Sequence, residues 1–136
     1  WSSIEDVRAK YHSGDAVYQT TFSVSGETLK KSSKVMIDLG SVESMAGITL
    51  NGRELEVLWS PPFRVDVTGL LRPGSNRLEV RVWNTWHNRL LGAHLKVPGL
   101  PAPAPSVTTN PRFAKGAKPL PAGLAGPVML RVEPID

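Results

Sequence analysis

The sequence predicts an all-β protein, a jelly-roll-like antiparallel β-sandwich, and three observations along its 136 residues carry that expectation. The first is period-two alternation, the mark of strands with one buried face. Val35, Ile37 and Leu39 alternate with Lys34, Met36 and Asp38, and Ala46, Ile48 and Leu50 repeat the pattern, as do Leu78, Val80 and Val82. The second is turn chemistry between these runs. Asn51-Gly52 offers two residues that tolerate positive φ, the strongest short-range sign of a hairpin, and Pro73-Gly74 marks another turn. The third is that the connections as far as residue 77 are short, which makes sequential strands antiparallel neighbours and a sandwich their natural assembly.

Taken in order, residues 1–15 are polar, with one helical turn expected across Ile4 to Ala9, capped by Ser2 or Ser3. A strand at 16–24 sets Tyr18, Phe22 and Val24 on one face, and Gly26 to Ser33 form a polar turn. Strands follow at 34–39, 45–51, 54–59, 63–67 and 77–84. Trp59 shares its parity with Leu55 and Val57 and is expected in the core. Pro61-Pro62 can donate no ladder hydrogen bond, so they separate two strands. Thr68 is read as starting a helical turn that Pro73-Gly74 ends, with Asp66 and Thr68 as turn caps. Residues 93–126 differ in kind, a long Pro-rich loop in which Pro98, Pro101, Pro103, Pro105, Pro111, Pro119 and Pro121 leave almost no strand pattern. A last strand, Val128 to Glu133, sets Val128, Leu130 and Val132 on one face. The whole, 1–136, reads as one domain, expected to be a segment of a longer protein because it opens in mid-pattern on Trp1.

Composition narrows the chemistry. Without cysteine there is no disulfide, thiolate metal site or cysteine nucleophile. The net charge of +4 is spread thinly, apart from Lys30, Lys31 and Lys34 at one turn and Arg112, Lys115 and Lys118 in the loop. Basic residues interleaved with aromatics, which a single-strand nucleic-acid groove needs, are missing, so no nucleic acid is expected. No apolar run approaches the roughly 20 residues that span a bilayer, so no membrane partner is expected either. Most strand carboxylates alternate with apolar residues and are expected on the solvent face. They do not form the pair, about 5–10 Å apart, that glycosidic cleavage requires. No catalytic residue, cofactor or metal ligand is assigned.

One heptapeptide does carry binding chemistry. Trp83-Asn84-Thr85-Trp86-His87-Asn88-Arg89 gathers two indoles, two amides, an imidazole and a guanidinium. An aromatic face covers the C–H side of a sugar ring, while planar amides and guanidinium groups bond hydroxyl pairs. Trp83, Trp86, His87, Asn88 and Arg89 are therefore the candidate carbohydrate-binding residues. With Leu78, Val80 and Val82 in the core, Trp83 faces outward beside Arg81 and Glu79, and 85–89 should form a loop at a sandwich end. An outward indole needs a cover: the proline rings of Pro98 to Pro105 lying over Trp83 and Trp86, a sugar, or a neighbouring domain. His12 is expected to be an ordinary surface histidine.

The same residues carry a family likeness. The run from Ile48 reads I-x-L-N-G-x-x-L, and from Trp59 W-x-P-P-F-x-V-D-V-T-x-L-L-x-P-G-x-N-x-L-E-V-x-V-x-N-x-W-x-N-R-L-L-G. It resembles the galactose-binding-like β-sandwich of glycoside hydrolase family 2, the sugar-binding domain of β-galactosidases and β-glucuronidases. The version near the C-terminus of bacterial α-L-rhamnosidases is the nearest likeness. Tyr11-His12-Ser13-Gly14 with Tyr18 and Phe22 resembles the family's first strand; Ala122-Gly123-Leu124 with Gly126-Pro127-Val128 resembles its closing one. The resemblance implies a non-catalytic carbohydrate-binding or accessory domain, monomeric by itself, within a periplasmic or secreted enzyme. The catalytic acids would then lie in a separate barrel, the domain's partner besides a weakly bound carbohydrate. A purely architectural domain, or a free-standing lectin-like or protein-interaction module, is the alternative. Related chains can place an acid ahead of the closing Gly-Leu strand, where this one has Gly116-Ala117-Lys118-Pro119-Leu120-Pro121.

Overall fold

The computed structural model describes residues 1–29, 33–101 and 112–134. Along the chain run α1 (Val7–Lys10), β1 (Asp15–Val24), β2 (Ser33–Asp38), β3 (Ser41–Glu43), β4 (Met45–Leu50), β5 (Arg53–Leu58), β6 (Arg64–Asp66), β7 (Gly74–Trp83), α2 (His87–His94), β8 (Gly123–Gly126) and β9 (Met129–Pro134). Strands β1-β7-β4-β5 form a four-stranded sheet, β6-β2-β9 a three-stranded one, and β3-β8 a two-stranded ribbon. Every pairing is antiparallel. The architecture is the all-β sandwich that the alternation predicts.

The core lies between the sheets. Ala46, Ile48, Leu50, Leu78, Val80 and Val82 come from one side, and Val35, Ile37, Leu39, Phe63, Val65 and Val67 from the other. Each fully buried Leu or Ile among them contributes about 2 kcal/mol. The hairpin between β4 and β5 turns at Asn51 (φ 53°) and Gly52 (φ 82°), both in the left-handed region its dipeptide favours.

Two polar knots tie neighbouring strands and turns within the sheets. Asn76 is 0 % exposed, at core parity with Leu78. Its Oδ1 accepts from Asn51 Nδ2 (2.8 Å) and the Arg72 N–H (3.1 Å), while its Nδ2 donates to the carbonyls of Arg72 (2.8 Å) and Gly74 (3.0 Å). Asp38, expected on the solvent face, is instead 5 % exposed. It accepts from the Gly40 N–H (2.9 Å), Arg64 Nε (2.9 Å) and Arg131 Nε (2.6 Å), which together join β2, β6 and β9. The Gly40 amide first, and then the two guanidinium groups, hold its carboxyl below the ordinary carboxylate value against the opposing effect of burial.

The largest departure from the alternation concerns Trp59. Leu50 pairs with Arg53 and Thr49 with Glu54, but Gly47 pairs with Val57 and Ala46 with Leu58. One extra residue on β5 is a bulge, and every side chain beyond it changes face. Leu55 and Leu58 therefore pack on the core, while Val57 and Trp59 point away from it. Trp59 is 79 % exposed.

Smaller corrections concern the ends of elements. Helix α1 starts later than expected and is capped by Asp6, whose Oδ1 accepts from the Ala9 N–H, rather than by Ser2 or Ser3. Thr68 opens a plain turn, not a helical one; its N–H donates to Asp66 Oδ1, and its Oγ1 accepts from the Val35 N–H. Residues 85–89 pass into helix α2 instead of remaining a loop, and β8 takes up the end of the Pro-rich stretch. Residues 102–105 of the expected proline cover lie outside the described residues.

Candidate functional site

The candidate residues divide between two surfaces that meet at the end of β7. Trp83 is the last residue of that central strand, with Asp15 of β1 on one side and Met45 of β4 on the other. Its indole stays outside the sandwich because Val82 takes the inward position. It lies across the neighbouring strand at Gly47, where a Cβ would stand 3.0 Å from Cη2 and 3.2 Å from Cζ3. The missing side chain lets the ring lie close to the sheet. Trp83 walls a groove of about 470 Å³ whose other sides include Thr49, Glu54, Val57, Glu79 and Arg81.

Trp86 completes an apolar rim. It is 53 % exposed and shares with Trp83, Met45 and Val57 a shallow hollow of about 570 Å³ beside that groove. Asn84 anchors the rim. Its Nδ2 donates to the His12 carbonyl (2.8 Å), and its Oδ1 accepts from the Gly14 N–H (2.9 Å). The amide thus fixes the chain that enters β1, rather than facing solvent.

His87, Asn88 and Arg89 belong to the second surface. Asn88 is 2 % exposed, and its amide closes a two-bond ring with the Leu120 backbone, accepting from N–H at 2.7 Å and donating to the carbonyl at 2.9 Å. Phe113 sits between His87 and His94, with centroid separations of 5.3 and 5.4 Å. Arg89 reaches the Pro101 carbonyl. Gly92 leaves room for Leu100 and Tyr11, since a Cβ there would fall 2.5 Å from Leu100 Cδ1 and 2.9 Å from Tyr11 Cδ1.

The described parts of the Pro-rich stretch therefore dock on α2. Among the described residues, the two hollows that Trp83 lines include nothing from 98–101 or 112–122, so the described part of the expected proline cover, 98–101, does not lie there. Sequence reasoning missed Gly47, Met45 and Val57 as neighbours of Trp83. Parity marked Met45 and Gly47 as outward but carried no sign of the register that sets them beside an indole. Among the described residues, no group of three or more His, Asp or Glu side chains is arranged to hold a metal ion.

Comparison with known proteins bears directly on this arrangement. The family described as glycosyl hydrolase 2 galactose-binding domain-like matches residues 3–108. The chain belongs to that family. As a galactose-binding-like domain of glycoside hydrolases, it is of the accessory type and not a catalytic barrel. It is similar, at 49 % identity over 92 residues, to a Formosa agariphila protein provisionally named a β-glucuronidase; the match spans 68 % of this chain and 8 % of that protein. The rhamnosidase of Novosphingobium sp. PP1Y superposes on 97 % of the chain with a TM-score of 0.81 and 36 % identity, over 12 % of its own length. A β-glucuronidase of Bifidobacterium dentium, solved with coumarin-3-O-glucuronide, matches 60 % of the chain at a TM-score of 0.54 and 27 % identity, over 13 % of its length. The chain thus spans about a tenth of the length of these relatives.

Proposed function

We propose that this domain is a non-catalytic accessory module of a glycoside hydrolase resembling the α-L-rhamnosidases, and that it holds carbohydrate in the groove walled by Trp83. One observation carries the reading: an indole that lies along the sheet at Gly47, uncovered among the described residues, with Thr49, Glu54, Glu79 and Arg81 beside it. A sugar needs an apolar surface for its ring hydrogens and polar groups for its hydroxyls, and this groove offers both within one ring's reach. The extended match to the Novosphingobium rhamnosidase supports the choice of parent enzyme.

Binding is weak, because one stacked ring and a few hydrogen bonds made in competition with water leave little surplus. The expected dissociation constant is about 0.1–1 mM, or about −4 to −5.5 kcal/mol. Calorimetric titration with neutral oligosaccharides tests it. Saturable binding that disappears in Trp83→Ala supports the proposal, while no heat with any glycan, or binding indifferent to Trp83, removes it.

Trp59 favours a second reading. Its indole is 79 % exposed, and Met45, Val57 and Trp86 are exposed as well. A neighbouring domain of the parent chain would cover such a surface, making the role architectural. In that case Trp59→Ser lowers the melting temperature of the whole enzyme but not that of this domain alone.

A further inference from the structure

We infer that the Trp83 groove selects uncharged sugars and excludes uronates, an inference that rests on the carbohydrate reading of that groove. The ladder register fixes what lines it. Gly47 and Thr49 of β4 form the floor, with Arg81 and Glu79 of β7 opposite them on one side and Val57 and Glu54 of β5 on the other. The apolar end is Trp83 with Val57; beyond it stand Glu54, Glu56 and Glu79. Three carboxylates thus face a single guanidinium.

That guanidinium is already engaged. Arg81 Nη1 lies 3.0 Å from Asp15 Oδ2, outside the groove lining. Glu79 Oε2 accepts from Gln19 Nε2 at 2.8 Å, which orients the carboxylate without neutralising it. Glu54 and Glu56 have no side-chain partner among the described residues. The local charge is therefore negative in a chain whose formal net charge is +4. A general attraction of the domain for anions does not act here, and the sign belongs to the groove itself.

The chemistry follows from that sign. Carboxylates accept hydrogen bonds from sugar hydroxyls, so a neutral ring stacked on Trp83 turns its donors toward acceptors. A uronate in the same position brings a like charge to three acids, and the basic residue in the described groove lining, Arg81, is already paired with Asp15. Two of the similar proteins carry the name β-glucuronidase, yet a carboxylate ligand calls for an unpaired cation, and the described lining of this groove holds Glu54, Glu56 and Glu79 with Arg81 alone.

The test compares paired probes that differ only in charge. Tetragalacturonate is set against its full methyl ester, and xylotetraose with a glucuronic acid branch against the same oligosaccharide with that branch methyl-esterified. Each is titrated by calorimetry and by indole emission. The neutral member of a pair is expected to bind about tenfold more tightly at low ionic strength. The gap should shrink in about 1 M salt, where the Debye length is about 3 Å, and close in Glu54→Gln/Glu56→Gln. Equal or tighter binding of the uronate member by the unmodified domain overturns the inference and leaves the carbohydrate reading in place. Absence of binding by every probe overturns both.

Discussion

Trp86 and Asn88 stand two residues apart, and they open onto the two contrasting surfaces of this domain. The indole is 53 % exposed on the rim at the end of the four-stranded sheet, whereas the amide is 2 % exposed beneath residues 112–122. The difference lies in how each surface satisfies its backbone. On the sheet, ladder bonds occupy the N–H and C=O groups, which leaves Trp83, Thr49 and Glu54 available to something else. The chain around Leu120 has no ladder there, and its buried backbone groups must find partners. Asn88 supplies them, just as Asn84 does for His12 and Gly14. A cluster of amides and aromatics in sequence is therefore not one surface, because an irregular segment nearby makes the first demand on its polar groups.

The largest effect expected from this contrast is structural. Asn88→Ala removes both bonds to Leu120 and leaves an N–H and a C=O unpartnered, a loss of about 3 kcal/mol. For a domain of this size that lowers the melting temperature by about 10 °C. Thermal unfolding followed by circular dichroism reads it directly. A change of less than about 2 °C would show that water replaces the amide without cost, and the contrast between the two surfaces would dissolve.

What the sequence revealed divides along the same line. Alternation located β1, β2, β4, β7 and β9 to within a few residues, because a strand with one buried face writes its period into the chain, and Asn51-Gly52 placed the hairpin. The same parity put Trp83 outside. It failed at Trp59, since a bulge shifts parity by one and nothing in Glu54 to Leu58 marks where the extra residue sits. Helix α2 was illegible because eight residues, HNRLLGAH, are too short to nucleate alone. It is held by burial of Leu91 and by the close approach of Tyr11 and Leu100 at Gly92. The partner of Asn88 lies 32 residues away in a segment without pattern. Asn76 was legible and overlooked, for its parity with Leu78 already placed it in the core.

Asp38 behaves like the α2 surface, with full charges in place of dipoles, and so sharpens the contrast from outside either region. Its carboxyl is held below the ordinary value of 3.8 by the Gly40 N–H and by Arg131 and Arg64. A depressed native value means that the carboxylate contributes stability above pH 3.8, and that this is lost as pH falls through the lower native value. Melting temperature is therefore expected to drop on acidification below about pH 4. Asp38→Asn, costing about 2 kcal/mol at neutral pH, should flatten that drop. An acid transition of the same steepness in the variant would assign the titration to other carboxylates. Asp66, lowered by its bonds from Thr68, is the first to examine.

The smallest stability effect is expected at Trp86, and it is the one that separates the readings of the rim. An indole this exposed contributes little packing, so Trp86→Ala should leave the melting temperature within about 2 °C, in the range usual for surface substitutions. Its contact with the Trp83 hollow gives the same substitution a second readout. If the rim extends the sugar platform, the dissociation constant for a neutral tetrasaccharide rises at least threefold while that for a monosaccharide seated on Trp83 is unchanged, because only the longer ligand reaches the second indole. Should both ligands bind as before, Trp86 belongs with Trp59 and Met45 to a surface for a neighbouring domain. Its substitution would then register only in the melting of the full-length enzyme. A drop of several degrees in this domain alone would contradict both assignments, since it would mean that the exposed indole supports the fold.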